Sequence, residues 1–348
     1  MSKRIVFCAD GTWDAPGSNT NVYLIWKALI NDGASQVTFY DDGVGAGITG
    51  LAHLLAGAFG QGIFQKIQDG YTQISQVYKQ GDQIYLFGFS RGAYTARSLA
   101  GMIAICGLPT GNFTPNCVTQ AFAAYRARDP QIRASILAGL GSCGLFNAPI
   151  QMVGVWDTVG SLGIPAVFGG IDEAKYGFLD TSLHPDVQSA YQALAIDEVR
   201  AQFPATLWTP PFTPGQTVVQ VWFSGCHGDV GGGTPQGGPV DNGTRLCDIT
   251  LGWMIANAQA QGLVFDPTVI APYATFTAQN ALDALNQTWT PVFGPQHLRP
   301  VAANSSLSNS VALRVQYALT YTPGNLTIAS GALAGDYSQI NVVAAPVA

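Results

Sequence analysis

Charged side chains are scarce in this sequence of 348 residues. Asp, Glu, Lys and Arg make up only 10% of it, against roughly 25% in an average globular protein. The net charge is -6 and Lys and Arg form no cluster, which argues against nucleic acid as a partner. Hydrophobic residues make up 47%, enough for a sizeable core. With so little charge to cover the surface, we expect exposed apolar patches that suit an apolar ligand, a partner or a membrane surface.

Long apolar runs and paired cysteine motifs are also missing. No run approaches the roughly 18 apolar residues of a transmembrane helix, and no apolar leader with a cleavage site precedes the first strand-like segment. We therefore expect the protein to lack a signal peptide and to be located in the cytoplasm of the producing cell. The alternative is export by a secretion system that needs no signal peptide. The six cysteines form no CxxC pair and no zinc spacing, so they are predicted to be reduced and mostly buried thiols.

Strand-like and helix-like segments alternate along the chain, which predicts an α/β domain with a mainly parallel central sheet and helices on both faces. The strand candidates are rich in β-branched and aromatic residues, as expected for strands covered on both sides. They are Arg4–Ala9, Gln36–Tyr40, Gln83–Gly88, Gln151–Trp156 and Thr217–Phe223. The helix candidates are Val22–Asn31, Gly62–Tyr78, Ala93–Ile105, Val118–Arg128, Pro185–Glu198 and Asp248–Gln261.

Three segments are too long to be minimal connections, and we expect them to form lid or cap insertions. They lie near residues 46–62, 109–147 and 164–183. The main domain is predicted to cover residues 1–300, and residues 301–348 to form a C-terminal extension packed on the same domain.

The stretch "IYLFGFSRGAYTARSLAG" places a serine between two glycines where a strand must become a helix. Such an elbow lifts the side chain at its tip above the sheet, and its flanking positions must be tiny because the helix packs closely on the strand. Gly88 and Gly92 meet that demand around Ser90, which is the G-x-S-x-G pattern in its required context. The alternative is a glycine-rich turn with an ordinary N-capping serine.

A serine hydroxyl needs a general base, and the chain has four histidines to choose from. His53 precedes the nucleophile in an apolar segment, His184 stands at a predicted helix start, and His297 has no strand behind it. His227 alone follows a predicted strand and lies in a glycine-rich turn. It is therefore the predicted base, against the alternative of a structural loop histidine.

The acid of such a triad follows the serine and precedes the histidine in chain order, at another strand end. Asp157 ends the strand candidate before "DTVGSLG" and fits that position. Asp229 is so close to His227 in the chain that it is expected to order the adjacent glycine loop instead. Asp180 and Asp197 are predicted to have no strand behind them.

A tetrahedral oxyanion needs two N–H donors. The residue after the nucleophile supplies one, here the backbone of Arg91. The loop after the first strand, "DGT", makes the backbone of Gly11 or Thr12 the second candidate. Asp10 either braces that loop or serves only its turn.

Eight blocks of the sequence together resemble one family. In order they are "FCADGTWD", "NTNVY", "YDDGVG", "DQIYLFGFSRGAYTARSLAGMI", "GVWDTVGSLG", "ALAIDEVR..F", "VWFSGCHGDVGGG" and "LCDITLGWM". They are similar to the catalytic domain of type VI secretion phospholipase effectors over about residues 3–265, with a fainter match in "YTPGNL". The resemblance implies an α/β-hydrolase fold, with Ser90, Asp157 and His227 in the triad positions, and ester hydrolysis on lipids. The sequence departs from the family at Gln192, where histidine is frequent, and in "LSNSVALRV", where His-Pro-Ser is usual.

The leading hypothesis is a serine hydrolase that needs neither metal nor cofactor and cleaves a lipid or another apolar ester, with transient contact to a membrane surface. Gly88 and Gly92 shape the nucleophile turn, while Asp10 and Asp229 support the neighbouring loops. One alternative is a catalytically silent module of the same fold that binds a lipid or a protein. The other is metal-assisted phosphoester hydrolysis, with Asp10, His227 and Asp229 around a cation.

Overall fold

An eight-stranded parallel sheet forms the centre of the protein, seen in a computed structural model that describes residues 2–11, 14, 16–43, 58–109, 113–159, 182–233, 244–318 and 320–344. Every pair of neighbouring strands in it runs parallel. In chain order the strands are β1 (Arg4–Ala9), β2 (Gln36–Asp41), β3 (Gln83–Phe89), β4 (Ile150–Trp156), β5 (Val187–Ala195), β6 (Thr217–Phe223), β7 (Ser306–Ser308) and β8 (Ser338–Ile340). Across the sheet the order is β2-β1-β3-β4-β5-β6-β7-β8. The predicted α/β class, with a mainly parallel central sheet, is confirmed.

Helices lie on both faces of this sheet. They are α1 (Asn21–Ala28), α2 (Ala58–Val77), α3 (Arg91–Cys106), α4 (Pro115–Arg126), α5 (Pro130–Gly139), α6 (His227–Gly231), α7 (Leu246–Ala260), α8 (Pro267–Ile270), α9 (Ala278–Ala281) and α10 (Asn309–Tyr317). Short 3-10 turns occupy Pro16–Ser18, Leu140–Cys143, Ala271–Tyr273 and Pro291–Phe293. Two-residue antiparallel ladders join Leu108–Pro109 to Leu145–Phe146 and Ile328–Ala329 to Ala332–Leu333.

The two faces of β1 show how the core is divided. Phe7 points into an apolar cluster with residues of α2, α3 and α4, whereas Val6 points into a second cluster with residues of α1 and α7. Successive side chains of a strand alternate between faces, so a strand covered on both sides must be apolar throughout. This double burial explains why β1 and β3 contain runs of apolar residues without polar alternation.

One predicted helix is wrong, because residues 187–195 form β5 instead. The spacing of Val187, Ala190, Tyr191 and Leu194 fits a helix as well as a buried strand, but the segment pairs with β4 on one side and β6 on the other. Tertiary packing between two strands overrides the helix preference of an Ala- and Gln-containing segment. As a result, His184 precedes a strand rather than a helix.

The prediction that all six cysteines are reduced is also wrong. Cys117 of α4 and Cys143 form a disulfide. Cys8, Cys106, Cys226 and Cys247 are free and buried.

Of the three predicted insertions, the segments near 46–62 and 164–183 lie mostly outside the described residues. From residue 113 onward, the segment 109–147 forms α4, α5 and a 3-10 turn. Phe122 of α4 packs against Phe64 of α2 in a tilted arrangement, with ring centroids 5.6 Å apart. Within the described ranges, no helix combines the length and the apolar character needed to cross a bilayer.

Candidate active site

Ser90 stands between the end of β3 and the start of α3, in a backbone conformation that few side chains adopt. Its φ is 58° and its ψ is -122°. A non-glycine residue in such a region costs roughly 1–3 kcal/mol and is tolerated where the surroundings enforce it. The Ser90 N–H donates to the Trp156 carbonyl at 3.1 Å, which continues the pairing of β3 with β4 past the turn.

The two glycines of the elbow are required by the packing of α3 on the sheet. A Cβ at Gly88 would lie 2.6 Å from both Cα and N of Ala93, and one at Gly92 would lie 2.6 Å from the Ala9 carbonyl carbon. These neighbours are backbone atoms, which no rotamer change can move. The helix therefore approaches β1 and β3 closely only because both positions lack a side chain.

Asp157 follows β4, the strand next to β3, and is fully buried. It too has a positive φ, of 41°. The Asp157 N–H donates to the Ala193 carbonyl at 2.8 Å, and Oδ1 accepts the Ala195 N–H at 3.0 Å. The backbone of β5 thus holds this carboxylate on two sides.

His227 follows β6 and is the first residue of α6. Its Nδ1 lies 2.5 Å from Asp157 Oδ2, although 70 residues separate the two in the chain. The ring packs between Phe89 and Phe203, with centroid distances of 4.5 Å and 5.1 Å. Its backbone N–H donates to Glu198 Oε2 at 3.3 Å. The residues predicted as base and acid are therefore in direct contact.

Ser90 adjoins this pair through its neighbour Phe89, whose ring stacks on His227. Because Nδ1 faces Asp157, Nε2 is the ring nitrogen left to receive a proton from a nucleophile. In the described structure no hydrogen bond joins Ser90 Oγ to the His227 ring. Catalytic hydrogen bonds of this kind are often long in ligand-free enzymes and tighten when substrate binds.

Arg299 is a part of the site that the sequence did not reveal. Its Nη1 donates to Asp157 Oδ1 at 2.6 Å and its Nη2 to Oδ2 at 2.9 Å. The same guanidinium donates to the carbonyls of Ala195 and Phe203. Arg299 is only 4% exposed, so the Asp157 carboxylate takes part in a buried two-bond ion pair as well as in the contact with His227.

Opposing effects set the protonation of this pair. Burial alone would raise the pKa of Asp157, but the Arg299 charge and the hydrogen bond to His227 outweigh it and hold that pKa well below its usual range. Burial lowers the pKa of His227, and the Asp157 and Glu198 carboxylates only partly offset this. The site therefore combines an ionised acid with a neutral imidazole near pH 7.

The loop after β1 lies directly above the nucleophile. A Cβ on Gly11 would lie 3.4 Å from the Ser90 Cβ. The Gly11 N–H, one of the predicted oxyanion donors, already donates to Asp10 Oδ1 at 2.8 Å. Arg91, the other predicted oxyanion donor, is the first residue of α3. Thr12 lies outside the described residues.

The Asp10 carboxylate accepts hydrogen bonds from inside this loop and from beyond it, and its supporting role in the site stays a prediction. Its Oδ2 accepts hydrogen bonds from Thr20 Oγ1 at 2.6 Å and from the Tyr40 hydroxyl at 2.7 Å.

Burial raises the pKa of Asp10 to about 6. Burial, together with the charge of Asp10, raises the pKa of Asp14 to about 7. Burial also lowers the pKa of Arg91 to about 10, opposed by Asp14. A small polar pocket lies beside these groups, lined by Asp10, Asp41, Asp42, Lys66 and Arg91 among others.

Asp229 supports the histidine loop by bonds other than those predicted. Its Oδ2 accepts the N–H groups of Cys226 at 3.0 Å and Asn286 at 3.1 Å, and its Oδ1 accepts the Asn286 side-chain amide. It thus caps α6 and links this helix by hydrogen bonds to the segment after α9.

Within the described part of the chain, no group of three or more His, Cys, Asp or Glu side chains is arranged to hold a metal ion.

Sequence reasoning assigned no role to Arg299, Glu198, Phe203 or Asn286. Glu198 and Phe203 lie in the block "ALAIDEVR..F", which contributes to the family resemblance and whose first part was predicted as a helix. Asp197 also has a strand, β5, behind it, contrary to the prediction. It accepts hydrogen bonds from the Gly225 N–H and the Tyr321 hydroxyl and does not contact His227 by a hydrogen bond. Arg299 and Asn286 have no local pattern that identifies them.

Comparison with known proteins identifies the family. The model of the family described as "T6SS, Phospholipase effector Tle1-like, catalytic domain" matches residues 3–257. The chain belongs to this family. It is 28% identical over 238 residues to the uncharacterized protein YEL023C of Saccharomyces cerevisiae, covering 61% of this chain and 34% of that protein.

A solved structure of the Tle1 effector bound to the VgrG spike of the type 6 secretion system is also similar. It has a TM-score of 0.41 and 17% identity, over 69% of this chain and 53% of that one. The chain thus spans about a third of the yeast protein and about half of the Tle1 effector chain.

Proposed function

We propose that this chain is a serine hydrolase of lipid esters, with Ser90 as nucleophile, His227 as general base and Asp157 as the acid that orients it. The observation that carries the proposal is the 2.5 Å contact between Asp157 and His227, formed at the strand ends beside the serine elbow. Membership of a family described as phospholipase effectors supports a lipid as substrate.

In the proposed reaction Ser90 Oγ attacks the acyl carbon while His227 Nε2 takes its proton. Asp157 holds the Nδ1–H and stabilises the imidazolium that forms. We propose the backbone of Arg91 as one oxyanion donor and that of Gly11 or Thr12 as the other; use of the Gly11 N–H would require it to leave Asp10 Oδ1, to which it donates at 2.8 Å. His227 then returns the proton to the departing alcohol, and a water molecule activated by the same imidazole hydrolyses the acyl-enzyme.

An apolar surface beside the base supports a lipid over a polar ester. Phe203 packs on His227, and the Arg200 guanidinium stacks over both Phe203 and Phe293, at 3.7 Å and 5.6 Å from their ring centroids. Val292, next to Phe293, is 78% exposed. Aromatic and aliphatic groups at the rim suit the acyl chain of a lipid.

The decisive experiment compares Ser90→Ala with Ser98→Ala. Ser98 lies in α3, the helix that follows Ser90, is fully buried and has no hydrogen-bond partner for its hydroxyl, so its loss controls for the substitution itself. Ser90→Ala is expected to lower kcat for ester hydrolysis by about 10⁶-fold with the fold intact. Ser98→Ala should keep wild-type activity. Full esterase activity in Ser90→Ala would refute the proposed mechanism.

A fluorophosphonate probe separates the proposal from a silent binding module of the same fold. The proposal expects labelling of the wild type and of Ser98→Ala and none of Ser90→Ala; absence of labelling in the wild type would favour the binding module. A panel of p-nitrophenyl esters and phospholipids, tested on the same three proteins, then identifies the substrate class. Activity abolished by EDTA would instead favour the metal-assisted alternative.

A further inference from the structure

Arg299 makes the densest set of contacts with the site from outside the family match, which ends at residue 257. Five hydrogen bonds leave its guanidinium: two to the Asp157 carboxylate, one to the Ala195 carbonyl and two to the Phe203 carbonyl. All its acceptors lie at the strand ends that carry the site or beside the His227 ring. An arginine that only packs in the interior does not need to bond both oxygens of a carboxylate that also contacts a histidine.

We infer that Arg299 is a positioning residue of the proposed triad: its planar fork fixes both oxygens of Asp157 and offsets their charge, so that His227 is oriented without being locked in its protonated form. The inference rests on the proposed function, because positioning has meaning only if His227 is the base.

The orientation follows from the count of hydrogen bonds on the carboxylate. Oδ1 accepts from Arg299 at 2.6 Å and from the Ala195 N–H at 3.0 Å, so it has no capacity left for the imidazole. Oδ2 accepts from Arg299 at 2.9 Å and is left with one further position, where His227 Nδ1 lies. The carboxylate cannot rotate without breaking the fork. His227 must then present Nε2 away from Asp157.

The charge balance follows from the groups that face the imidazole. Asp157 contacts it from the end of β4, and Arg299, in the segment before β7, contacts Asp157. Glu198 and Arg200 face it from the segment after β5, and they pair with each other at 2.7 Å. Asp229 lies on the helix of His227 itself. Each carboxylate in direct contact with His227 therefore has its own guanidinium partner, and removal of Arg299 leaves Asp157 as an unbalanced negative charge.

The test measures the protonation of His227 in Arg299→Gln and Arg299→Lys. Protein with isotope-labelled histidine is titrated by NMR, and the His227 signal is assigned by its absence in the His227→Gln variant. On the same proteins, kcat/KM for an ester is measured against pH. Arg314→Gln is the matched control. Arg314 is also a buried arginine of the C-terminal region that donates to backbone carbonyls, but it has no bond to Asp157.

Arg299→Gln should raise the His227 titration midpoint by about one pH unit, with a parallel rise in the lower limb of the kcat/KM profile. Arg299→Lys keeps the charge but loses the fork, so its midpoint should stay near the wild-type value while kcat falls by about 10- to 100-fold. Arg314→Gln should change neither. An unchanged or lowered midpoint in Arg299→Gln, or the same rise in Arg314→Gln, would overturn the inference.

If Arg299→Gln does not fold, the inference is tested by Arg299→Lys alone, and a wild-type kcat in that variant would overturn it. The titration requires no turnover. It therefore tests Arg299 separately from the proposed function, whose own failure would appear as activity retained in Ser90→Ala.

Discussion

The elbow glycine Gly92 offers a test in which both stability and activity can be worked out from distances. A Cβ at this position would lie 2.6 Å from the Ala9 carbonyl carbon, whereas ordinary van der Waals contact begins near 3.4 Å. Relief of this overlap therefore requires α3 to move from β1 by at least about 0.8 Å, the difference between these two distances, because the Ala9 and Asp10 carbonyl oxygens would lie closer still. Both partners are backbone, so the movement carries Ser90 with it.

Overpacking of this kind costs about 1–3 kcal/mol, and the helix preference of alanine over glycine returns at most about 1 kcal/mol. We therefore expect Gly92→Ala to lower the free energy of unfolding by about 1–2 kcal/mol and to unfold at a lower temperature. A nucleophile misplaced by nearly 1 Å should lose about 10²-fold in kcat. Thermal unfolding and hydrolysis of a p-nitrophenyl ester measure the two effects.

Gly101→Ala is the control, because Gly101 lies in the same helix but faces a side chain. Its added Cβ would meet Tyr125 Cε2 at 3.3 Å, a contact that a small ring movement relieves. This variant should match the wild type in activity and within about 1 kcal/mol in stability. The packing argument for the elbow would be refuted if Gly92→Ala were as stable and as active as Gly101→Ala.

Three further predictions follow from the described contacts. Asp157→Asn should lower kcat by about 10⁴-fold. It should also destabilise the fold by about 3–5 kcal/mol in denaturant unfolding, because Arg299 is left as an unpaired buried charge; wild-type stability would contradict the buried ion pair. Replacing Cys117 and Cys143 by serine should cost about 3.5 kcal/mol of unfolding free energy, the loop-closure value for their separation of 26 residues, and an unchanged denaturation midpoint would argue against the disulfide. The pKa of Asp14 is about 7 in the fold and about 3.9 when unfolded, so the folded state binds the proton more tightly and stability should fall as pH rises from about 4 to 7. The unfolding temperature should fall less steeply with pH in Asp14→Asn than in the wild type, and equal slopes of unfolding temperature against pH would contradict the raised pKa of Asp14.

The C-terminal part of the chain belongs physically to the site. β7 and β8 extend the same sheet, and the contacts of Asn286, Arg299 and Tyr321 reach Asp229, Asp157 and Asp197 respectively. Residues beyond the family match therefore hold three carboxylates around the proposed base. Asn286 and Arg299 lie within the predicted main domain of residues 1–300, and we propose that Tyr321 of the predicted C-terminal extension belongs to the same catalytic unit.

The fold class and the elbow could be predicted from the sequence because each depends on short segments. β1 and β6 have the predicted bounds, since strands buried on both faces need continuous apolar runs. Gly88, Ser90 and Gly92 are predictable because the close approach of one helix to one strand admits only tiny side chains. The contact of Asp157 with His227 was predictable in outline, because parallel strands bring their carboxyl ends to one edge of the sheet.

Tertiary structure alone decided the remainder, because those features depend on neighbours distant in the chain. Residues 187–195 are a strand since β4 and β6 lie on either side of them, although their own spacing fits a helix equally well. Cys117 pairs with Cys143 because α4 and the turn after α5 meet in space. Arg299 looks like any loop arginine in "QHLRP", and only burial against Asp157 makes its charge part of the site. Local sterics can be deduced from adjacent residues, whereas a buried charge acquires its role from the partner that the fold supplies.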